Sequence, residues 1–358
     1  MSSFASKPSM SAAAGGFTSV ACMPNTNPAV DSKSIVEFII ERAEKVGLTN
    51  VYPIGAISKG LEGEELSEIG DMKYSGIVGI SDDGNPVMNS NLMRRALEYS
   101  SMFDLPVISH CEDIPMSNEG VINEGLTSTI LGLKGIPPAA EEIMVERDIR
   151  IAEFTGGKLH IAHVSTKGSV ELVRQAKSKG INVTAEATPH HFTLTDEATK
   201  TFDTNTKVNP PLRTAEDVEA IRQGLKDGTI DAIVTDHAPH AIEDKDVEYD
   251  YADFGISGLE TSLPLVITKL VEPGILTLSQ AIEKMTYIPA NIINIPKGTL
   301  KPGNDADITI IDKDKTIIVN TKEFKSKGKN SPFNNWELKG SVEMTIKGGN
   351  IVYENKDN

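Results

Sequence analysis

A parallel β/α barrel that starts one strand late is the fold this sequence predicts, and three observations predict it. Apolar runs rich in branched side chains alternate with amphipathic helical patterns from residue 17 to about 236, which implies a mostly parallel sheet with helical crossovers. Polar groups follow nearly every apolar run: Pro24-Asn25, Asp82-Asp83-Gly84, His110, His163, His190 and Asp236. An open doubly wound sheet gathers ligands at one switch point, whereas a closed eight-stranded barrel collects side chains from the carboxyl ends of many strands. No Gly-x-Gly-x-x-Gly turn follows any strand, which weighs further against a dinucleotide fold.

In chain order, residues 9–16 read as the end of a crossover helix whose preceding strand would lie upstream of Met1. Strands are expected at 17–23, 51–57, 76–81, 106–110, 158–163, 182–187 and 231–235, alternating between both faces or running apolar throughout. The helix expected over 32–46 places Ile35, Phe38, Ile39 and Ala43 on one face. Further helices are expected at about 91–102, 139–154, 167–178 and 215–225. Thr214 with Asp217 resembles a capping box and starts the last of these. Seven strands result where a closed barrel needs eight; the missing one is the first, or lies within 201–208, or the sheet is open. Beyond residue 257 come helical patterns at 259–269, 278–285 and 289–295, then short alternating strands at 306–311, 316–319, 343–346 and 351–353. These last form a small antiparallel region, with the polar segment 325–335 as its exposed loop.

Composition bounds the function. The chain of 358 residues is ample for a buried core, and no apolar run reaches the length of a membrane helix. Thirty-five basic residues against 51 acidic ones give a net charge of −16, which opposes long-range attraction to nucleic acids and anionic membranes. Two cysteines, Cys22 and Cys111, are too few for a disulfide framework, so a reducing, cytoplasmic setting is expected.

All seven histidines lie in or just after an apolar strand. Neutral imidazole and carboxylate are the ligands of zinc and similar divalent ions. The strand ends offer Asp82 or Asp83, His110, His163 and Asp236. His160 and His163 point opposite ways in a regular strand, so only one can serve, and His163 lies nearer the strand's end. His190 and His191, adjacent and leading into a loop, read as structural or supporting residues. Asn25 and Asn209, each beside Pro, are turn residues by default, yet they follow strands on the side where ligands would gather. Arg213 reads equally as an anion contact or a surface ion pair. Glu112 lies past the end of its strand, so only His110 is counted there.

Met23-Pro24-Asn25-Thr26, Ser81-Asp82-Asp83-Gly84, Ser109-His110-Cys111-Glu112-Asp113, His163-Val164-Ser165-Thr166-Lys167, Thr188-Pro189-His190-His191, Val208-Asn209-Pro210-Pro211-Leu212-Arg213, Thr235-Asp236-His237-Ala238-Pro239-His240 and Phe254-Gly255-Ile256 together resemble the dihydroorotases of the amidohydrolase superfamily. The likeness is to the class with an aspartate, not a carboxylated lysine, between its metals, and it runs through essentially the whole chain.

The resemblance implies a TIM-type barrel, two zinc ions per site, and reversible interconversion of N-carbamoyl-L-aspartate and L-dihydroorotate in pyrimidine synthesis. By motif, Asp83 would bridge the metals, His110 and His163 would bind the second zinc, and Asp236 would touch the first and move the proton. Asn25, Asn209, His240 and the backbone at Phe254 and Gly255 would hold the substrate, and the loop 241–253 would close over it. The family's His-x-His-x-Arg at the end of the first strand is lacking, since no histidine precedes His110. The expectation is therefore an amino-terminally truncated dihydroorotase: residues 1–297 an incomplete barrel, 298–358 the remnant of a small β domain, at most one zinc well held, and little turnover. A related cyclic amidohydrolase (allantoinase or dihydropyrimidinase), a non-catalytic subunit supporting aspartate transcarbamoylase, and a homodimer stay open.

Overall fold

The computed structural model describes residues 6–356. Its framework is a run of parallel strands: β1 (Ser19–Cys22), β2 (Asn50–Pro53), β3 (Gly55–Ala56), β4 (Ile80–Ser81), β5 (Val107–Ser109), β6 (Leu159–Ile161), β7 (Val183–Ala187) and β8 (Ala232–Ile233). β2 and β3 are one strand interrupted at Ile54, so seven strand positions result, as the sequence predicts. β1 pairs with β2, and β3 to β8 form a six-stranded sheet in sequence order, every pair parallel. Among the described residues β1 pairs only with β2 and β8 only with β7, which leaves the ring open between them. The segment 201–208 adds no strand; it holds a 3₁₀ turn at Thr204–Thr206.

Helices pack outside this sheet: α1 (Ser6–Ala14), α2 (Lys33–Val46), α3 (Ile69–Ser75), α4 (Ser90–Ser101), α5 (Pro138–Thr155), α6 (Lys167–Ser178), α7 (Ala215–Asp227), α8 (Leu259–Val266), α9 (Leu278–Met285) and α10 (Tyr287–Ile292). The sequence gives no sign of α3. Two signals are realised as chemistry dictates. Thr214 and Asp217 make both bonds of a capping box at the start of α7, and Asn89 caps α4 through Asn91 N and Leu92 N. The expected face of α2 needs one correction. Val36 is its fully buried residue, whereas Phe38 is 57% exposed with Arg42 over its ring.

Two apolar layers follow from strand alternation. Val107, Leu159, Ile161, Val183, Ala185 and Ile233 turn outward into the main core against the helices. Ile54, Val78, Ile108 and Ala162, from neighbouring strands, form a separate inner cluster closed by Ile293 and Ile295. No helix among the described residues is long and apolar enough to cross a membrane.

The carboxyl-terminal strands β9 (Ile308–Ile318), β10 (Glu337–Lys347) and β11 (Asn350–Glu354) form an antiparallel sheet. The two strands expected at 306–311 and 316–319 are one strand with a register shift between Asp312 and Thr316. This sheet docks on the chain's beginning through Thr345 Oγ1 to Ala13 O and Thr309 Oγ1 to Gly16 O, both 2.7 Å. The segment 325–335 is not an exposed loop: Ser326, Asn330, Ser331 and Phe333 are buried, and Phe333 packs with Leu194, Val208, Leu212, Ile256 and Leu265.

Candidate metal centre and substrate pocket

Three strand ends bring Asp83, His110 and His163 together, their ligand atoms all within 4.8 Å of one another. His110 Nδ1 lies 2.9 Å from His163 Nε2, and Asp83 Oδ1 lies 3.8 Å from the first and 3.5 Å from the second. Zinc bonds of about 2.0–2.2 Å put tetrahedral ligand atoms about 3.3 Å apart, so these separations bracket what one ion needs. Asp82 faces away. Its carboxylate accepts from Ile57 N and Ser58 N at 2.8 and 3.1 Å and from the Ser58 hydroxyl, fixing the turn that presents Asp83.

Sequence reading passed over Glu112. Its Oε2 stands 3.2 Å from His110 Nε2 and accepts from Asn209 Nδ2 at 2.8 Å. A carboxylate only accepts, so Nε2 carries the proton and Nδ1 turns its lone pair to Asp83 and His163; outer carboxylates orient metal-binding histidines in this way. Burial pushes Glu112 up, but the His110 bond and charge outweigh it and hold the group down at about 2.

His163 reaches the site by a backbone irregularity. His160 shares the inward face with Ala162 and bonds Glu186 Oε2 at 2.8 Å and Thr184 Oγ1 at 2.7 Å. Regular alternation would turn His163 outward. A left-handed φ of +32° brings it back, and Asp236 is likewise left-handed at +43°. Side chains rarely adopt this region unless their surroundings impose it.

Charge in the site is unbalanced. Burial opposes protonation of His163, yet Asp83 and Asp236 outweigh it and lift the imidazole to about 9. Asp236 is pushed up to about 6, chiefly by burial and by Asp83, against the pull of His163 and His110. Asp83 itself is held low: burial is overcome by His163 and His110. His163 Nδ1 is buried without a hydrogen-bond partner among the described residues. Two imidazole nitrogens and an anionic oxygen facing one another are a donor set that suits a divalent cation; Asp236, expected as a further ligand, falls outside this group of three and meets it only through its charge.

The expected substrate residues form two groups. Asn25 Nδ2 donates to Asp83 Oδ2 at 3.1 Å, and Asn209 reaches Glu112 as above. His240 Nε2 donates to Phe254 O at 2.8 Å, and Nδ1 lies 3.2 Å from Asp253 Oδ2. Gly255 has φ +143°, and a Cβ there would fall 2.6 Å from Ala238 Cβ and 3.0 Å from His240 Nε2, so only glycine lets these segments meet.

Of the two adjacent histidines read as structural or supporting, His191 is held through both ring nitrogens, whereas His190 Nε2 is buried without a hydrogen-bond partner among the described residues. His191 Nε2 donates to Pro210 O at 2.9 Å and Nδ1 accepts from Thr188 Oγ1 at 2.8 Å; burial holds the ring neutral, down at about 3. His190 is buried and pushed well below the usual range by the same cause. Arg213 is neither a surface ion pair nor an open anion contact. It is 2% exposed and donates to Ser165 Oγ, Asn123 Oδ1 and Ile136 O at 3.1, 3.0 and 2.7 Å.

Comparison with known proteins places the chain in a family. The family model described as Dihydro-orotase-like matches residues 5–169, and the Amidohydrolase family model matches residues 150–353. The dihydroorotase of Acetivibrio thermocellus is 60% identical over 347 residues, covering 97% of this chain and 82% of that protein. That of Pelotomaculum thermopropionicum is 61% identical, covering 96% and 81%. Among solved structures, the L-hydantoinase (dihydropyrimidinase) of Arthrobacter aurescens superposes with a TM-score of 0.88 at 28% identity, covering 98% of this chain and 80% of that one. The dihydropyrimidinase of Brevibacillus agri, at 19% identity and a TM-score of 0.85, shares the fold. On sequence likeness over nearly its whole length, the chain belongs to the dihydroorotase family of the amidohydrolases.

Proposed function

We propose that this chain interconverts N-carbamoyl-L-aspartate and L-dihydroorotate at a zinc ion held by Asp83, His110 and His163. The observation that carries the reading is the convergence of those three donors at adjacent strand ends, within 4.8 Å of one another. Bound there, zinc would polarise the amide carbonyl and make water a better nucleophile. The chain's own groups do the rest. Glu112 fixes the tautomer of His110 by accepting its Nε2–H. Asp236, whose charge couples to the triad, takes a proton from the attacking water and delivers it to the ring nitrogen that leaves. Asn25, Asn209, His240 and the peptides at Phe254 and Gly255 hold the substrate's amide and carboxylate.

One well-held ion per chain is proposed, at Asp83, His110 and His163; the other donor group among the described residues, His240, Asp244 and Asp253, is largely exposed. The same reading takes residues up to 297 as the catalytic barrel and those from 298 as a small β domain; residues 1–5 and 357–358 lie outside the described residues. Two free thiols, Cys22 and Cys111, suit a cytoplasmic setting. The two unpaired strand edges suit pairing with a second copy or with aspartate transcarbamoylase.

The test is zinc content together with binding and hydrolysis of L-dihydroorotate, hydantoin and dihydrouracil by the purified chain. One zinc per chain and a preference for L-dihydroorotate are expected. Preference for hydantoin would move the reading to the hydantoinases. Absence of zinc, with transcarbamoylase co-purifying, would make the chain a supporting subunit.

A further inference from the structure

Helix α5 is the crossover between β5 and β6, the two neighbouring strands that present His110 and His163. It carries two buried carboxylates, Glu141 at 4% exposure and Asp148 at 0%. Seven residues apart, they lie two turns along one face, about 10 Å from each other on the helix axis. Each grips one of the two turns. Glu141 Oε1 accepts from Ser165 N at 3.0 Å and Thr166 N at 3.2 Å, and its other oxygen accepts from the Ser165 hydroxyl. Asp148 Oδ2 accepts from Ser109 Oγ at 2.6 Å, the residue before His110. Its Oδ1 takes Nε and Nη2 of Arg147 at 2.8 and 2.7 Å. Backbone joins them once more, Asp113 N donating to Ala140 O at 2.8 Å.

Stability alone does not account for Glu141. A buried carboxylate costs several kcal/mol in desolvation unless it is closely paired, and the nearest guanidinium nitrogen, Arg213 Nη2, is 4.0 Å away. What the charge does is bind two successive N–H groups, the second and third after the left-handed His163. A strained residue persists only where its neighbours over-determine it.

We propose that Glu141 and Asp148 are positioning residues, and that by gripping both turns from one rigid helix they fix the separation and orientation of His110 and His163. The proposal rests on the reading of those histidines as cation ligands.

The test uses the full chain with Glu141→Ala, Asp148→Ala and Glu141→Gln, and Glu146→Ala as a control on the exposed face of α5. Three readouts apply: zinc affinity by chelator competition, the visible spectrum of the cobalt-loaded protein, and the imidazole nitrogen resonances of His110 and His163 without metal. Each alanine variant is expected to weaken zinc binding about 10–100-fold, the usual effect of losing an outer partner, and to shift the cobalt spectrum. Glu141→Gln should recover most of the affinity, because its amide oxygen still accepts from Ser165 N and Thr166 N. Glu146→Ala should match the parent. Folded alanine variants with parental affinity and spectrum overturn the proposal, even if they melt earlier. If an alanine variant does not fold, Ser165→Ala and Ser109→Ala each remove one anchor; parental spectra there overturn it too. A parent that binds no zinc defeats the ligand reading. The imidazole resonances then decide the positioning role alone, which stands if Glu141→Ala and Asp148→Ala move them and falls if they do not.

Discussion

Glu112 holds two donors at once, the His110 ring and the Asn209 amide. Both bonds end on the same oxygen, Oε2, so an alanine, rather than a glutamine, removes them. Glu112→Ala is therefore expected to free His110 to adopt the other tautomer and to lower zinc affinity about tenfold; equal affinity in a chelator titration would count against the assigned role. His191 makes a different prediction, about acid. Its folded value of about 3 lies below the unfolded histidine value near 6.5. Between those limits the unfolded chain takes up a proton that the folded chain refuses. Stability is thus fully present above about pH 6.5 and is lost as pH falls toward 3, at up to about 1.4 kcal/mol per pH unit. His191→Phe removes this slope and strands Pro210 O and the Thr188 hydroxyl. It should be about 1–3 kcal/mol less stable at pH 7, yet show a flatter decline from pH 6 to pH 4 in urea melts than the parent. At this scale the sequence told which imidazoles sit at strand ends, because alternation and strand length are local. It could not place Glu112, since past the last paired residue alternation no longer says which way a side chain faces. Nor could it foresee the positive φ of His163, which sets aside that alternation altogether.

The loop 241–253 shows what a polar segment can hide. Acidic and without apolar periodicity, it reads as a flap over the substrate, but the structure ties it down. Lys245 Nζ donates to Asp253 O at 2.6 Å, Lys207 Nζ to Asp250 O at 2.9 Å, and Thr204 Oγ1 to Lys245 O at 2.5 Å. Tyr249 and Ala252 are buried beside them. Such anchors join lysines to backbone carbonyls, and neither partner leaves a trace in hydropathy. Burial, with Lys207 close by, depresses Lys245 to about 8, well below the ordinary lysine value of 10.5. From pH 8 to 10.5 the unfolded chain holds the proton more readily, so this residue makes stability rise with pH across that window. Lys245→Met should remove that rise: urea midpoints measured at pH 7.5, 9 and 10 would climb less, or fall more, in the variant than in the parent. Identical pH trends in the two proteins would mean that Lys245 is not held as described. By contrast several helices around the barrel, though not α3, were legible almost residue for residue. α6 and α9 start and stop where the periodicity places them, because each has one apolar stripe and a distinct cap.

Across the whole molecule, the last sixty residues reach back to the candidate pocket, and one side chain makes four of the bonds. Asn330 is 5% exposed, and its amide makes four hydrogen bonds to segments far from it in the chain. Nδ2 donates to Ala238 O and Gly255 O, both at 3.0 Å; Oδ1 accepts from His240 N at 3.0 Å and Ser257 Oγ at 2.9 Å. The same asparagine thus spans the strand-end segment after Asp236 and the turn at Gly255, the two stretches that carry His240 and Phe254. None of this is readable from the polar run around it, because pairing of side-chain amides with distant backbone has no period. The geometry yields a separable expectation. Asn330→Ala leaves two carbonyls and an N–H short of partners and should cost about 2–4 kcal/mol of stability. More tellingly, it should weaken binding of L-dihydroorotate about tenfold or more while leaving zinc affinity as it was, since Asp83, His110 and His163 sit on other strands. Asn330→Asp keeps the two bonds it accepts and loses the two it donates, so its binding should fall between those of the parent and the alanine variant. Calorimetric titration of the folded variants with substrate, and separately with zinc, resolves the two effects. If both affinities drop together, the small β domain supports the barrel as a whole; if neither drops, Asn330 serves stability alone and the pocket is positioned by the strand ends without it.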